Sequence, residues 1–203
     1  MTSLLLIGGG GHCHSCIDVI EAEGLYRVAG IVQPSEEQSL SVMGYPIVGS
    51  DDDLPILLAQ TSKALITVGQ IRTPESRMLL YEQLKTIGTE LPVIRSPYAI
   101  QSKHATLGEG TVLMHGCVVN ANAKIGVNCI VNSQALIEHD VIIGDHCHIS
   151  TGARVNGDVQ IGNGCFIGSG AILREGIRIG AHAIIGAGQV VLSNVPDGGV
   201  VKK

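Results

Sequence analysis

The stretch Ile125-Gly126-Val127-Asn128-Cys129-Ile130-Val131-Asn132-Ser133-Gln134-Ala135-Leu136-Ile137-Glu138-His139-Asp140-Val141-Ile142-Ile143 places an aliphatic residue at every sixth position. Extended in both directions, the frame runs Leu107, Leu113, Val119, Ile125, Val131, Ile137, Ile143, Ile149, Val155, Ile161, Ile167, Leu173, Ile179, Ile185 and Val191, without an insertion. The residue two before each of these is small or apolar in every case but the last, where Gln189 stands; the frame ends at Gln101 and Asp197. A period of six fits neither the 3.6 of a helix nor the 2 of an isolated strand. It fits a short strand plus a corner, repeated around a triangular coil, so three hexads make one turn of a parallel β-helix. Gly108, Gly126, Gly144, Gly162 and Gly180 follow the aliphatic residue at 18-residue spacing. They suggest corners of positive φ.

Composition suits that architecture. Of 203 residues, 45% are hydrophobic but only 2% aromatic, with no Trp and one Phe, so the core must be thin aliphatic layers. Net charge is −5 and no basic run stands out, which disfavours nucleic acid as a partner. The N-terminal apolar run Leu4 to Ile7 is too short to span a membrane, and a soluble cytoplasmic protein is expected.

Residues 1–98 read differently, as a small Rossmann-like α/β domain. Expected elements are a strand at Leu4–Ile7, a helix from His12 to about Glu23, a strand at Val28–Val32, an acid-capped helix after Asp51-Asp52-Asp53, a strand from Ala64 to Val68, and a helix from Thr73 to Ile87 stopped by Gly88. Residues 99–203 form the β-helix domain.

Four of the six cysteines, Cys117, Cys129, Cys147 and Cys165, fall on the small inward position, where Cys acts as a compact hydrophobe. Cys13 and Cys16 remain, inside His12-Cys13-His14-Ser15-Cys16, and no further ligands lie nearby, so no metal site is expected. Gly8 to Gly11 joins a strand to a helix, and its backbone amides could cradle a phosphate. It is no dinucleotide fingerprint: Cys13 or His14 occupies the third glycine position, and the second strand ends in Val32-Gln33-Pro34 without an acid to grip a ribose.

His139 stands beside a corner between Glu138 and Asp140. A base with an adjacent carboxylate is what acyl transfer to an amine or hydroxyl requires. His148 directly precedes an inward residue and should point outward. Nine residues, half a coil, separate the two histidines, which places them on different sides of the triangle. They can serve one reaction only if sites form between neighbouring β-helices, or if each acts on a different end of the chemistry.

The stretch from Ile137 to Ser150, with Asn156-Gly157-Asp158-Val159 and Ile167-Gly168 after it, resembles the hexapeptide-repeat acyltransferases of the sialic-acid O-acetyltransferase and bacillosamine N-acetyltransferase type. Ile7-Gly8-Gly9-Gly10-Gly11-His12, Val68-Gly69 and, more loosely, Val93 to Pro97 are similar to the same family. The resemblance implies a left-handed β-helix, a homotrimer, acetyl-CoA in the groove between subunits, and a nucleotide-linked sugar held by the N-terminal domain. It implies His139 as general base with Asp140 raising its basicity; His148, Gly157, Ser169 and Ala187 as acetyl-CoA contacts; and Gly10, Gly11, His12, Gly69 and Asn132 as substrate contacts. The sequence departs from the family in two places: Gln33 and Pro34 stand where paired acids often follow the second strand, and the chain closes on Gly198 to Lys203 without a Gly-x-Pro-Ala-Lys segment. The expected reaction is N-acetylation of a nucleotide-linked amino sugar. O-acetylation of a sialic-acid-like sugar and a non-catalytic scaffold are the alternatives.

Overall fold

The computed structural model describes residues 1–34 and 40–202. Its first part is a sheet of β1 (Thr2–Ile7), β2 (Tyr26–Val32), β3 (Ser41–Val42), β4 (Tyr45–Gly49) and β5 (Ala64–Ile66), in the order β3-β4-β2-β1-β5. All pairs are parallel except the β3–β4 hairpin. That hairpin departs from the sequence expectation. Its turn, Met43-Gly44, carries φ of 48° and 84°, the double left-handed geometry of a tight hairpin. Helices α1 (Gly11–Glu23), α2 (Leu54–Gln60) and α3 (Glu75–Ile87) complete this part. Gly24 and Gly88 end α1 and α3 in the left-handed conformation.

The rest is a left-handed parallel β-helix. Two-residue strands stack into sheets of six, five and seven strands, and each strand pairs with the one 18 residues on, as in Val118↔Leu136 and Lys124↔Ile142. The inward register is the expected one: nearly every residue of the two inward columns from Ala105 to Val191 is buried in one continuous core. The β-helix begins earlier than the aliphatic frame. Ile94–Arg95 pairs with Val112–Leu113, and Ile100–Gln101 pairs with Val118–Val119. Ile94 escaped the frame because it packs against α1, with Cys13, Cys16, Ile17, Val112 and Met114, and not into the coil. Val200–Val201 closes the seven-stranded sheet on Ile184–Ile185. Lys203 lies outside the described residues.

The corner glycines require a correction. The left-handed residue of each hexad lies three places after the inward aliphatic, from Gly110 through Asn122, Asn128, Gln134, Asp140 and His146 to Gly188. Gly108, Gly126, Gly144 and Gly162 are glycine for another reason. A Cβ on Gly108 would stand 2.5 Å from the Gly126 carbonyl carbon, and one on Gly162 would stand 2.6 Å from the Ala181 nitrogen. Stacked coils approach too closely there for any side chain.

Candidate active site

His139 and Asp140 occupy the corner between the six- and five-stranded sheets. The His139 side chain is 64% exposed, and its Nδ1 lies 2.8 Å from Asp140 Oδ2. The other carboxylate oxygen, Oδ1, accepts a 2.6 Å bond from Asn122 Nδ2, one coil below. That coil supplies the same support to Glu138, whose Oε2 accepts from Asn120 Nδ2. The hydrogen bond to Asp140 raises the His139 pKa, and the charges of Asp140, Glu138 and Asp158 add to it. Bonds from Asn122 and His139 hold the Asp140 carboxyl below its ordinary value. With Nδ1–H donated to Asp140, Nε2 is the free basic nitrogen. One coil above lies Gly157. A Cβ there would meet His139 Cε1 at 2.8 Å and Nε2 at 2.9 Å, so the imidazole lies across the space that a side chain would fill.

His148 points outward from the seven-stranded sheet, as its position predicts, but it is buried because the N-terminal part covers it. Its Nδ1 donates to the Gln70 carbonyl at 2.7 Å, which leaves Nε2 as acceptor for Asn132 Nδ2 at 3.1 Å. Phe166 meets its ring edge to face, with centroids 5.3 Å apart. Burial lowers the His148 pKa to about 4 and that of His12 to about 3, so both are neutral near pH 7.

His148 lines a cavity of about 910 Å³ between the two parts of the chain. Gly10, Gly11, His12, Gly69 and Asn132 line the same cavity. The structure therefore brings His148 together with the residues expected to hold substrate, and leaves His139, Asp140 and Gly157 on a different face. Ser169 lies at a third corner, where its Oγ meets Ser150 Oγ at 2.9 Å, and Ala187 stacks 18 residues beyond it, with its nitrogen against Gly168.

The glycine turn divides in two. A Cβ on Gly8 would strike Val68, and one on Gly9 would strike Gln33; Gly10 and Gly11 have nothing within 4 Å of theirs. The first pair is glycine for packing, and the second opens onto the cavity at the start of α1, whose first turn has no side-chain cap. Amides placed this way suit an anion. Gln33 is buried beneath the turn, while Pro34 and Asp51 line the cavity. Asp51, Thr67 and Gln70 were not expected in the site. Asp51 reads from sequence as a capping acid, but the cap is formed by Asp53, whose Oδ2 accepts from the Ser50 nitrogen and Oγ. Nothing in the local pattern distinguishes the two acids. Among the described residues no cluster of His, Cys, Asp or Glu could hold a metal ion, and no helix is long and apolar enough to cross a membrane.

Residues 3–84 match the model of the PglD N-terminal domain, and residues 158–191 match that of the bacterial transferase hexapeptide (six repeats). PerB from Caulobacter crescentus, solved in complex with CoA and GDP-perosamine, is 35% identical over 97% of this chain and 92% of its own, with a TM-score of 0.90. The chain belongs to the hexapeptide-repeat sugar N-acetyltransferases. The acetyltransferase domain of PglB from Neisseria gonorrhoeae, solved in complex with acetyl coenzyme A, is 32% identical over 98% of this chain and 94% of its own, with a TM-score of 0.87. WeeI from Acinetobacter baumannii AYE shares the fold at 23% identity, covering all of this chain and 97% of its own, with a TM-score of 0.86. No curated protein matches the chain.

Proposed function

We propose that this N-acetyltransferase moves the acetyl group of acetyl-CoA to the amino group of a sugar carried on a nucleoside diphosphate. The observation that carries the proposal is the exposed imidazole of His139, held by Asp140 so that Nε2 is free. The sugar amine attacks the thioester carbonyl, a C–N bond forms, and Nε2 takes the amine proton. The C–S bond then breaks, and the imidazolium returns the proton to the departing thiolate. Asp140 stabilises the imidazolium between these two transfers.

Gly10, Gly11, His12, Gly69 and Asn132 hold the nucleotide sugar in the cavity. Gly157, Ser169 and Ala187 stand on corners flanking the six-stranded sheet, where coenzyme can run along the stacked coils. His148 shares the cavity wall and reaches the acetyl end of the coenzyme from that side. The cavity and His139 lie on different faces of one chain, so a working site needs two copies, and a homotrimer supplies three such sites. The outer column of the six-stranded sheet supports this: Ile100, Val118, Leu136, Ile172 and Val190 are apolar with only Arg154 among them, and Ile100 and Val190 are 64% and 60% exposed. The six cysteines are all free and buried, which suits work in the reducing cytoplasm.

The test is thiol release from acetyl-CoA with a panel of GDP-, UDP- and dTDP-linked amino sugars. Turnover with at least one is expected, and none with any sugar, together with no coenzyme binding, refutes the proposal. Mixing His139→Ala subunits with Gly11→Val subunits tests the shared site. Each variant alone is expected to be nearly inactive, and mixed trimers to regain activity; a monomer by light scattering refutes the shared site.

A further inference from the structure

Arg77 on α3 is 1% exposed, and among the described residues no carboxylate pairs with it. Its Nη1 donates to the carbonyls of Val68 at 2.6 Å and Ile66 at 3.3 Å. Its Nη2 donates to the carbonyl and the side-chain Oδ1 of Asn128, at 2.9 and 2.6 Å. Asn128 answers with its amide nitrogen on the Arg77 carbonyl and on His146 Nδ1. Nε is buried without a hydrogen-bond partner. Burial pulls the guanidinium pKa down to about 10, so the charge persists at neutral pH. Burying an unpaired cation is costly, and tying α3 to a β-helix corner does not by itself call for one.

The Val68 carbonyl explains the choice. Val68 begins the segment Val68-Gly69-Gln70, all three residues of which line the cavity. One end of the segment fits the glycine turn: Thr67 Oγ1 donates to the Gly8 carbonyl at 2.6 Å, and Val68 Cγ2 fills the place of a Gly8 side chain. The other end meets the β-helix, where the Gln70 carbonyl accepts from His148 and its Nε2 donates to the carbonyls of Gly164 and Cys165. Arg77 grips the first carbonyl of this bridge, that of Val68. Among the described residues the cavity wall contains no Lys or Arg, and His12 and His148 are neutral. A nucleoside diphosphate nevertheless brings two negative charges.

We infer that Arg77 is a positioning residue for the nucleotide sugar: through the Val68 carbonyl it sets the Val68–Gln70 segment between the glycine turn and His148, and its charge lies behind the wall that receives the diphosphate. This inference rests on the proposed substrate class and goes beyond it in assigning the cationic element of the site to a residue that touches no ligand.

The experiment compares Arg77→Lys, which keeps a charge but cannot fork to both domains, with Asn128→Asp. The latter keeps an oxygen for Nη2 and tolerates its left-handed φ of 52°, but neutralises the guanidinium. Both are assayed for steady-state kinetics on whichever nucleotide sugar turns over, and for GDP and UDP affinity by calorimetry. Each variant is expected to raise KM for the nucleotide sugar about tenfold or more, with KM for acetyl-CoA held within about twofold. A purely structural role moves both constants alike or only the active fraction. If Arg77→Lys fails to fold, Asn128→Asp alone decides. Nucleotide-sugar KM and nucleotide affinity both unchanged in the folded variants overturn the inference. Absence of wild-type turnover with every sugar strikes the proposed function instead, and nucleotide affinity then still tests Arg77.

Discussion

Gly157→Ala is the sharpest probe of the role proposed for the His139–Asp140 corner. The three atoms nearest to the new methyl all belong to the His139 ring, at 2.8, 2.9 and 3.4 Å. Ordinary contact begins near 3.4 Å, so the ring must retreat by 3.4 minus 2.8, about 0.6 Å. The exposed imidazole has room to do so, but retreat stretches a 2.8 Å bond to Asp140 beyond good hydrogen-bonding range. A misplacement of about 1 Å can cost about a hundredfold, and the general base as a whole is worth about 10²–10⁴, so kcat should fall about ten- to a hundredfold. Gly157 does not have a positive φ, so Tm should stay within about 2 °C. The double variant with His139→Ala should be no worse than His139→Ala alone, because the methyl then has no ring to displace. Steady-state kinetics with acetyl-CoA and the nucleotide sugar varied separately decide the matter. Unchanged kcat in a folded variant refutes the ring-support role, and a rise in KM for acetyl-CoA alone makes Gly157 a coenzyme contact only.

His139→Ala should lower kcat by about 10²–10⁴ with acetyl-CoA affinity nearly intact, read by steady-state kinetics and calorimetry. Asp140→Asn should cost less and should move the rising limb of the rate–pH profile to lower pH, because the hydrogen bond to Asp140 is what raises the His139 pKa; an unmoved limb contradicts that cause. His148 and His12 have folded pKa values of about 4 and about 3, below the ordinary 6.5, so their neutral burial stabilises the fold above pH 6.5 and that stability is lost as pH falls through about 4. Urea midpoints should drop over this window, and less steeply in His148→Gln. Gly162→Ala would press a methyl to 2.6 Å from the Ala181 nitrogen and 2.8 Å from its Cα, and should lower stability by about 1–3 kcal/mol in urea melts.

The repeat was legible because burial imposes it on every coil: an inward position admits only what fits a thin aliphatic core, and the chain shows that constraint at every sixth residue. The His139–Asp140 pair was legible because its members are adjacent. What lay hidden depends on neighbours distant in sequence. Gly157, 18 residues away, leaves room for the His139 ring by having no side chain. His148 announced its outward direction, but its burial and its tautomer come from Gln70, 78 residues earlier, once the N-terminal part docks. The N-terminal sheet itself brings Asp51 and Thr67 to the cavity, and docking gives Arg77 its partner Asn128, 51 residues on. Their local patterns speak only of a cap, a strand end and a helix.

The column of corner glycines shows how one residue type can arise from two constraints in a single repeat. Close stacking excludes a side chain at Gly108, Gly126, Gly144 and Gly162, whereas the left-handed corner two residues later needs only tolerance of positive φ. Asn, Asp, Gln and His fill half of those corners as readily as Gly, since short polar side chains adopt that region at modest cost. Asp140, at φ 62°, is one of them, and Asn122, also at φ 62°, stacks beneath it. The Asp140 carboxylate and its amide support thus stand at positions that the fold leaves free to carry polar groups. Their side chains face outward with no core to disturb, so the chemistry at this corner adds no strain beyond what every coil already bears. Asp140→Gly should accordingly leave Tm unchanged or slightly raised while kcat falls; a large loss of stability would show that the carboxylate holds the corner together as well as the base.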